Sequence, residues 1–191
     1  MAVSHRILGR RFVGATALLL LLAGCGPLPG QSGGGGSGGN GGGSGGQTPT
    51  TYTDARHHYR LTAPGPMKAK SDGTASYASE REYLDIVVVE GAGAADPAAL
   101  ARKDASSLSS SKPDFRLLSP PAPTTLGGKQ VVKFTYASTT GDQGGAKVQL
   151  TNARYYIPKD QSQLAVVSYG DDAAEYDATE ADGIISSFQW L

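Results

Sequence analysis

Cysteine is almost missing from this 191-residue chain, which has Cys25 and no other. A lone thiol excludes an internal disulfide framework and any zinc site built on paired cysteines. Histidine is nearly as scarce: beyond His5, only His57 and His58 occur. That leaves a Ser-His-Asp triad barely a base, and no Gly-x-Ser-x-Gly elbow is present. No basic excess exists either, with 17 Lys+Arg against 17 Asp+Glu. A nucleic-acid footprint and a polybasic membrane patch are therefore not expected. No apolar run is long enough to span a bilayer. The longest, Val13 to Leu22, has ten residues or about 15 Å of helix, half of the hydrocarbon thickness.

That short run is informative in its setting. Arg6, Arg10 and Arg11 precede it, no acid occurs before Cys25, and small Ala23 and Gly24 follow it. Charge, apolar length and a small-residue cleavage site in this order predict an export signal over 1–24. Arg10-Arg11-Phe12 raises the twin-arginine route, but Phe12 comes one position early, and the general secretory route is favoured. Leu22-Ala23-Gly24-Cys25 looks like a bacterial lipobox, in which the cysteine thiol is acylated and becomes the mature N-terminus. Two or three acyl chains, at about 0.8 kcal/mol per buried methylene, hold such a protein firmly to a membrane.

Gly26 to about Thr50 contains 13 of the 27 glycines, mixed with Ser, Gln, Asn and Pro. It has nothing to bury, so a disordered tether is expected over 25–50, with an r.m.s. span of roughly 27 Å. Glycine loops that cradle phosphate need a strand before and a helix after, and this run has neither. Loss of 1–24 would leave 14 Lys+Arg against 17 Asp+Glu, a net charge of −3.

The remainder, 51–191, is the size of one domain with its own core. Strand signals fall at His58–Thr62, Thr74–Tyr77, Glu82–Glu90, Asp114–Leu118, Gln130–Tyr136, Lys147–Ile157 and Gln163–Tyr169, the last three as an antiparallel meander. The breaker Pro120-Pro121-Ala122-Pro123 is expected to end the fourth. Asp96-Pro97 reads as a helix start, with Leu100, Ala101, Ala105 and Leu108 on its apolar stripe. A second helical spacing covers about Ala173 to Phe188. One antiparallel sheet with two helices belongs to the α+β class.

Four stretches carry a family resemblance: Tyr52-Thr53-Asp54 leading to Tyr59-Arg60-Leu61-Thr62-Ala63-Pro64, Leu126-Gly127-Gly128-Lys129, Asn152-Ala153-Arg154-Tyr155-Tyr156-Ile157, and Ile184-Ile185-Ser186-Ser187-Phe188. Together they resemble the PsbP-like fold, in particular the actinobacterial envelope lipoproteins built on it. The resemblance implies an αβα sandwich, about six antiparallel strands with helices on both faces. It also implies an accessory, partner-binding role without a common catalytic site.

Several constellations could carry chemistry. His57-His58 on a strand would point to opposite faces and has no third ligand nearby, so no metal site is expected. Ser109-Ser110-Ser111-Lys112 matches Ser-x-x-Lys, but the partner motifs Ser-Asp-Asn and Lys-Thr-Gly are missing. Asp171, Asp172, Glu175, Asp177, Glu180 and Asp182 form an acidic run with no Lys or Arg among them. The run lacks the alternation and the glycine of a calcium loop. It reads either as a solvated helix start or as a dock for a basic partner. Tyr155 and Tyr156 should face opposite sides of a strand, one in the core and one half-exposed. The candidate partner surface is therefore Tyr155 with Asp171, Asp172 and Glu175. No cofactor is expected. The preferred function is a membrane-tethered, non-enzymatic envelope lipoprotein that binds a partner protein. A carrier for a small apolar or lipid ligand is the alternative, and a cell-wall hydrolase is the least favoured reading.

Overall fold

The computed structural model describes residues 48–79, 82–94, 96–141 and 147–191. Leu22, Ala23, Gly24, Cys25 and the glycine-rich stretch up to residue 47 lie outside the described residues.

The described residues open with β1 (Thr50–Asp54) and β2 (Tyr59–Ala63), paired antiparallel with Thr50 opposite Ala63 and Asp54 opposite Tyr59. The last strand, β10 (Gln189–Trp190), joins the other side of β2 and completes a three-stranded sheet. Between them runs the main sheet: β3 (Lys68–Ala69), β4 (Ala75–Ala78), β5 (Tyr83–Glu90), β6 (Arg116–Leu126), β7 (Lys129–Gly141), β8 (Lys147–Pro158) and β9 (Gln163–Asp172). Its order is β3-β4-β5-β9-β8-β7-β6, with every pairing antiparallel. The meander read from the sequence is present. It returns from the far edge until β9 pairs with β5 along eight residue pairs, Tyr83–Gly170 through Glu90–Gln163.

The helix α1 (Pro97–Ser111) makes the crossing from β5 to β6. Asp96 caps it, accepting the Ala99 amide at 2.8 Å, with Pro97 in the first turn where no amide hydrogen is needed. The second helix, α2 (Ala178–Ser187), starts later than the spacing suggested. Residues 173–176 instead form a turn in which the Glu175 and Tyr176 amides donate to the Asp172 carbonyl. Asp177 then caps the helix through the Thr179 amide at 2.7 Å.

Two sequence expectations need correction here. The prolines 120, 121 and 123 do not end a strand, because β6 runs through them to Leu126. β6 is an edge strand, so these residues owe no hydrogen bond on the open side. The pairing with β7 slips between Leu117 and Ser119 and again between Ser119 and Ala122. His57 and His58 are not on a strand but in the turn joining β1 to β2, with His58 in the left-handed region at φ 57.

The core lies on both faces of the main sheet. On one face Ala101 of α1 packs against Phe134, Tyr136, Tyr156, Leu164 and Val166. On the other, Ala181, Ile184 and Ile185 of α2, with Tyr59 and Leu61 of the small sheet, cover Leu84, Ile86, Ala153, Tyr155, Val167 and Tyr169. The buried Leu, Ile, Val and Phe side chains among them contribute about 1.5–3 kcal/mol each on leaving water. Two of the resemblance stretches meet in space. The Leu126-Gly127-Gly128-Lys129 turn, with φ of 55 and 76 at its glycines, sits on the last turn of α2, where Lys129 Nζ donates to the Ser186 carbonyl at 2.9 Å.

Candidate functional site

The four residues of the expected partner surface separate in the structure. Tyr155 is fully buried, so it is withdrawn from that surface. Its neighbour Tyr156 is fully buried as well, and the half-exposed member of the pair does not exist. Alternation on β8 does send them to opposite faces, but a helix covers each face. The Tyr155 hydroxyl donates to Asp182 Oδ1 on α2 at 2.8 Å, and the Tyr156 hydroxyl to Asp104 Oδ2 on α1 at 2.7 Å. Burial, then the adjacent carboxylate, pushes both phenols far above their ordinary range.

The acidic residues stay together at the end of β9 and the start of α2. Asp171 and Asp172 are half-buried, and Glu175 is exposed. Part of their charge serves the local backbone: Asp171 Oδ1 accepts the Asp172 amide at 2.7 Å, and Asp172 Oδ1 accepts the Ala174 amide at 3.0 Å. Asp182 is spent inside the fold, holding Lys133 Nζ at 2.6 Å besides Tyr155. Glu180 sits in the first turn of α2, where a carboxylate is favoured by the helix dipole.

One member of this corner was missed from sequence. The pairing of Tyr83 with Gly170 sets Glu82 beside the end of β9. Glu82 Oε2 accepts the Tyr77 hydroxyl at 3.3 Å. Burial holds the Glu82 carboxyl above the ordinary carboxylate range, and Glu180 and Asp171 raise it further against the Tyr169 and Tyr77 hydroxyls beside it. Glu82, Asp171 and Glu180 come from three separate stretches of chain, and only the register of β5 on β9 reveals the grouping.

The serines at the end of α1 and one ring nitrogen of His57 are engaged locally. Ser109 Oγ donates to the Ser106 carbonyl at 2.7 Å and Ser111 Oγ to the Ser107 carbonyl at 3.0 Å, as serines at a helix end do. His57 Nδ1 lies 3.2 Å from Asp54 Oδ2. Among the described residues no group of three His, Cys, Asp or Glu side chains could hold a metal ion. No described helix is long and apolar enough to cross a membrane.

No family model matches the chain, and no curated protein sequence matches it. Among solved structures, the Ran-binding protein Mog1p of Saccharomyces cerevisiae superposes with a TM-score of 0.50 at 10% identity, over 75% of this chain and 95% of that one. A Bacteroides thetaiotaomicron protein gives 0.50 at 10% identity over 74% of this chain, which spans about half of it (48%). LpqN of Mycobacterium tuberculosis, involved in cell envelope biogenesis, gives 0.40 at 18% identity over 78% and 86% of the two chains. At these identities the likeness to Mog1p and the Bacteroides protein concerns fold alone. Among the described residues, two α-helices on an antiparallel sheet make this the Mog1/PsbP-like α+β fold.

Proposed function

We propose that this chain is an exported, lipid-anchored envelope protein whose folded domain binds another protein and performs no chemistry of its own. The observation that carries the reading is the convergence of Glu82, Asp171 and Glu180, beside Asp172 and Glu175, at one corner of the sheet. Such a corner fits a partner with a basic face, recognised through charge complementarity. Two further points support it. The serines at the end of α1, the Nδ1 edge of His57, and the carboxylates of Asp104 and Asp182 are engaged in local turns and helix-to-sheet bonds. Mog1p, which has this fold, is by its name a binding protein. The anchor rests on the Leu22-Ala23-Gly24-Cys25 stretch after its apolar run.

Affinity capture from envelope extract with the tagged full chain tests the binding role. One protein should be enriched by the wild type and lost on joint Glu175→Lys and Glu180→Lys substitution. No enrichment under several salt conditions defeats the reading. Retained lipid mass in native mass spectrometry, without captured protein, favours a carrier of apolar ligands instead. The anchor has its own test. Cys25→Ser should move the protein from the detergent phase to the aqueous phase or leave unprocessed precursor.

A further inference from the structure

The turn after β1 and the β3–β4 hairpin face each other across a cleft of about 340 Å3. Tyr52, Ala55 and Ala69 line it with apolar surface, and Arg56, His57 and Lys70 bring it positive or protonatable groups. The one carboxylate in the wall is already consumed. Asp54, 8% exposed, accepts the Arg56 and His57 amides on Oδ1 at 2.8 Å each and faces His57 Nδ1 with Oδ2 at 3.2 Å. The Asp54 contact favours the proton on Nδ1, so Nε2 of the neutral ring is an acceptor and offers an anion a donor only in the imidazolium form; Nε2 has no hydrogen bond to a described residue.

Arg56 is in the same position. Its guanidinium makes no hydrogen bond or ion pair with a described residue. Arg56 Nη1 and His57 Cε1 both converge on Gly73, standing 3.3 Å and 3.5 Å from where a side-chain carbon on that glycine would be. The guanidinium and the imidazole thus lie close over Gly73, whose φ of +86 and missing side chain allow that approach. The other charges nearby are partly spent. Lys70 Nζ stands 3.8 Å from Asp85 Oδ1, and Asp72 Oδ1 accepts the Thr74 amide at 2.9 Å.

We infer that this cleft binds a small organic anion, its carboxylate or phosphate paired with the Arg56 guanidinium and its flat apolar part resting on Tyr52, Ala55 and Ala69. The chemistry follows from the groups. A guanidinium offers parallel donors that fit two anionic oxygens, and charge-assisted bonds of this kind are the stronger ones. A concave, largely apolar wall with few polar groups is the common form of a small-molecule site. The Asp54 bonds hold the backbone of the turn that carries Arg56 before the ligand arrives.

Titration of the isotope-labelled full chain with benzoate, phenyl phosphate and benzamidine, followed by amide NMR, tests the assignment. Benzoate or phenyl phosphate should move the Arg56, His57, Gly73 and Thr74 amide signals saturably, and the tighter of the two identifies the head group. Benzamidine, of the same shape and opposite charge, should leave them in place. Arg56→Gln, at an exposed side chain, should weaken the anion about tenfold or more without lowering the thermal midpoint. The inference is overturned if benzamidine binds comparably, if neither anion moves these signals, or if Arg56→Gln binds both anions as the wild type does.

Discussion

The Tyr155 hydroxyl donates to Asp182 Oδ1 at 2.8 Å, and through this bond the centre of β8 is fastened to α2. The same oxygen receives Lys133 Nζ at 2.6 Å, whose ammonium lies 5.2 Å over the Tyr155 ring. One carboxylate thus ties two strands to the helix. Tyr155→Phe removes one donor and leaves the ion pair, so a loss of about 1 kcal/mol is expected. Asp182→Ala leaves both a buried hydroxyl and an ammonium without a partner, and about 2 kcal/mol or more should be lost. Urea unfolding of the two variants should give that order; equal losses would mean that the carboxylate does no more than accept from tyrosine.

The turn over α2 makes a sharper claim. A methyl group on Gly127 would lie 2.6 Å from the Ser186 carbonyl oxygen and 2.9 Å from its Cα, so backbone would have to move. Gly128 has open space, and alanine there meets only the strain of φ +76. Gly128→Ala should cost about 1–2 kcal/mol, and Gly127→Ala clearly more. Thermal midpoints compare them directly, and the reverse order would contradict the docking of this turn on α2.

Glu82 predicts a pH dependence with a definite sign. Burial, with Glu180 and Asp171 behind it, raises its folded-state pKa above the unfolded value. Folding therefore favours the protonated acid, and stability falls as pH rises through the folded pKa. Glu82→Gln keeps the neutral form at every pH. It should be the more stable protein near neutrality, with the advantage shrinking toward about pH 4, where the wild-type carboxyl takes up its proton. Urea midpoints at both pH values measure this, and a destabilised Gln variant at neutrality would refute it.

Asp54 has the opposite sign. Burial pushes its pKa up, but the His57 amide and ring and the Arg56 amide outweigh burial and hold it below the ordinary carboxylate range. Its contribution is complete above the unfolded pKa and is lost as pH falls through the folded one. Asp54→Asn should cost stability at neutral pH and progressively less in acid, as seen by the same unfolding curves.

The helix caps offer the plainest test. Asp96→Ala removes the side-chain acceptor for the Ala99 amide, and about 1 kcal/mol should go with it. A midpoint unchanged from wild type would show that α1 is held by packing alone.

What was legible in advance follows from interactions between near neighbours. Asp96-Pro97 specifies a helix start because cap and first turn are adjacent in sequence, and β7, β8 and β9 were readable because alternation and short turns act locally. Tertiary contact decided the rest. Tyr155 and Tyr156 alternate as expected, yet both are buried because α1 and α2 close over opposite faces of one sheet. Three prolines sit inside β6 because the strand occupies an edge, and a residue cannot announce in sequence that its outer neighbour is solvent. Glu82 joins Asp171 and Glu180, and Arg56 leans over Gly73, through pairings across long stretches of chain. The sequence alone determined which segments could be strands and helices, since that depends on residues a few positions apart. Which face is covered, which strand ends at an edge and which charges meet depend on packing between distant segments, and only the folded structure decided those.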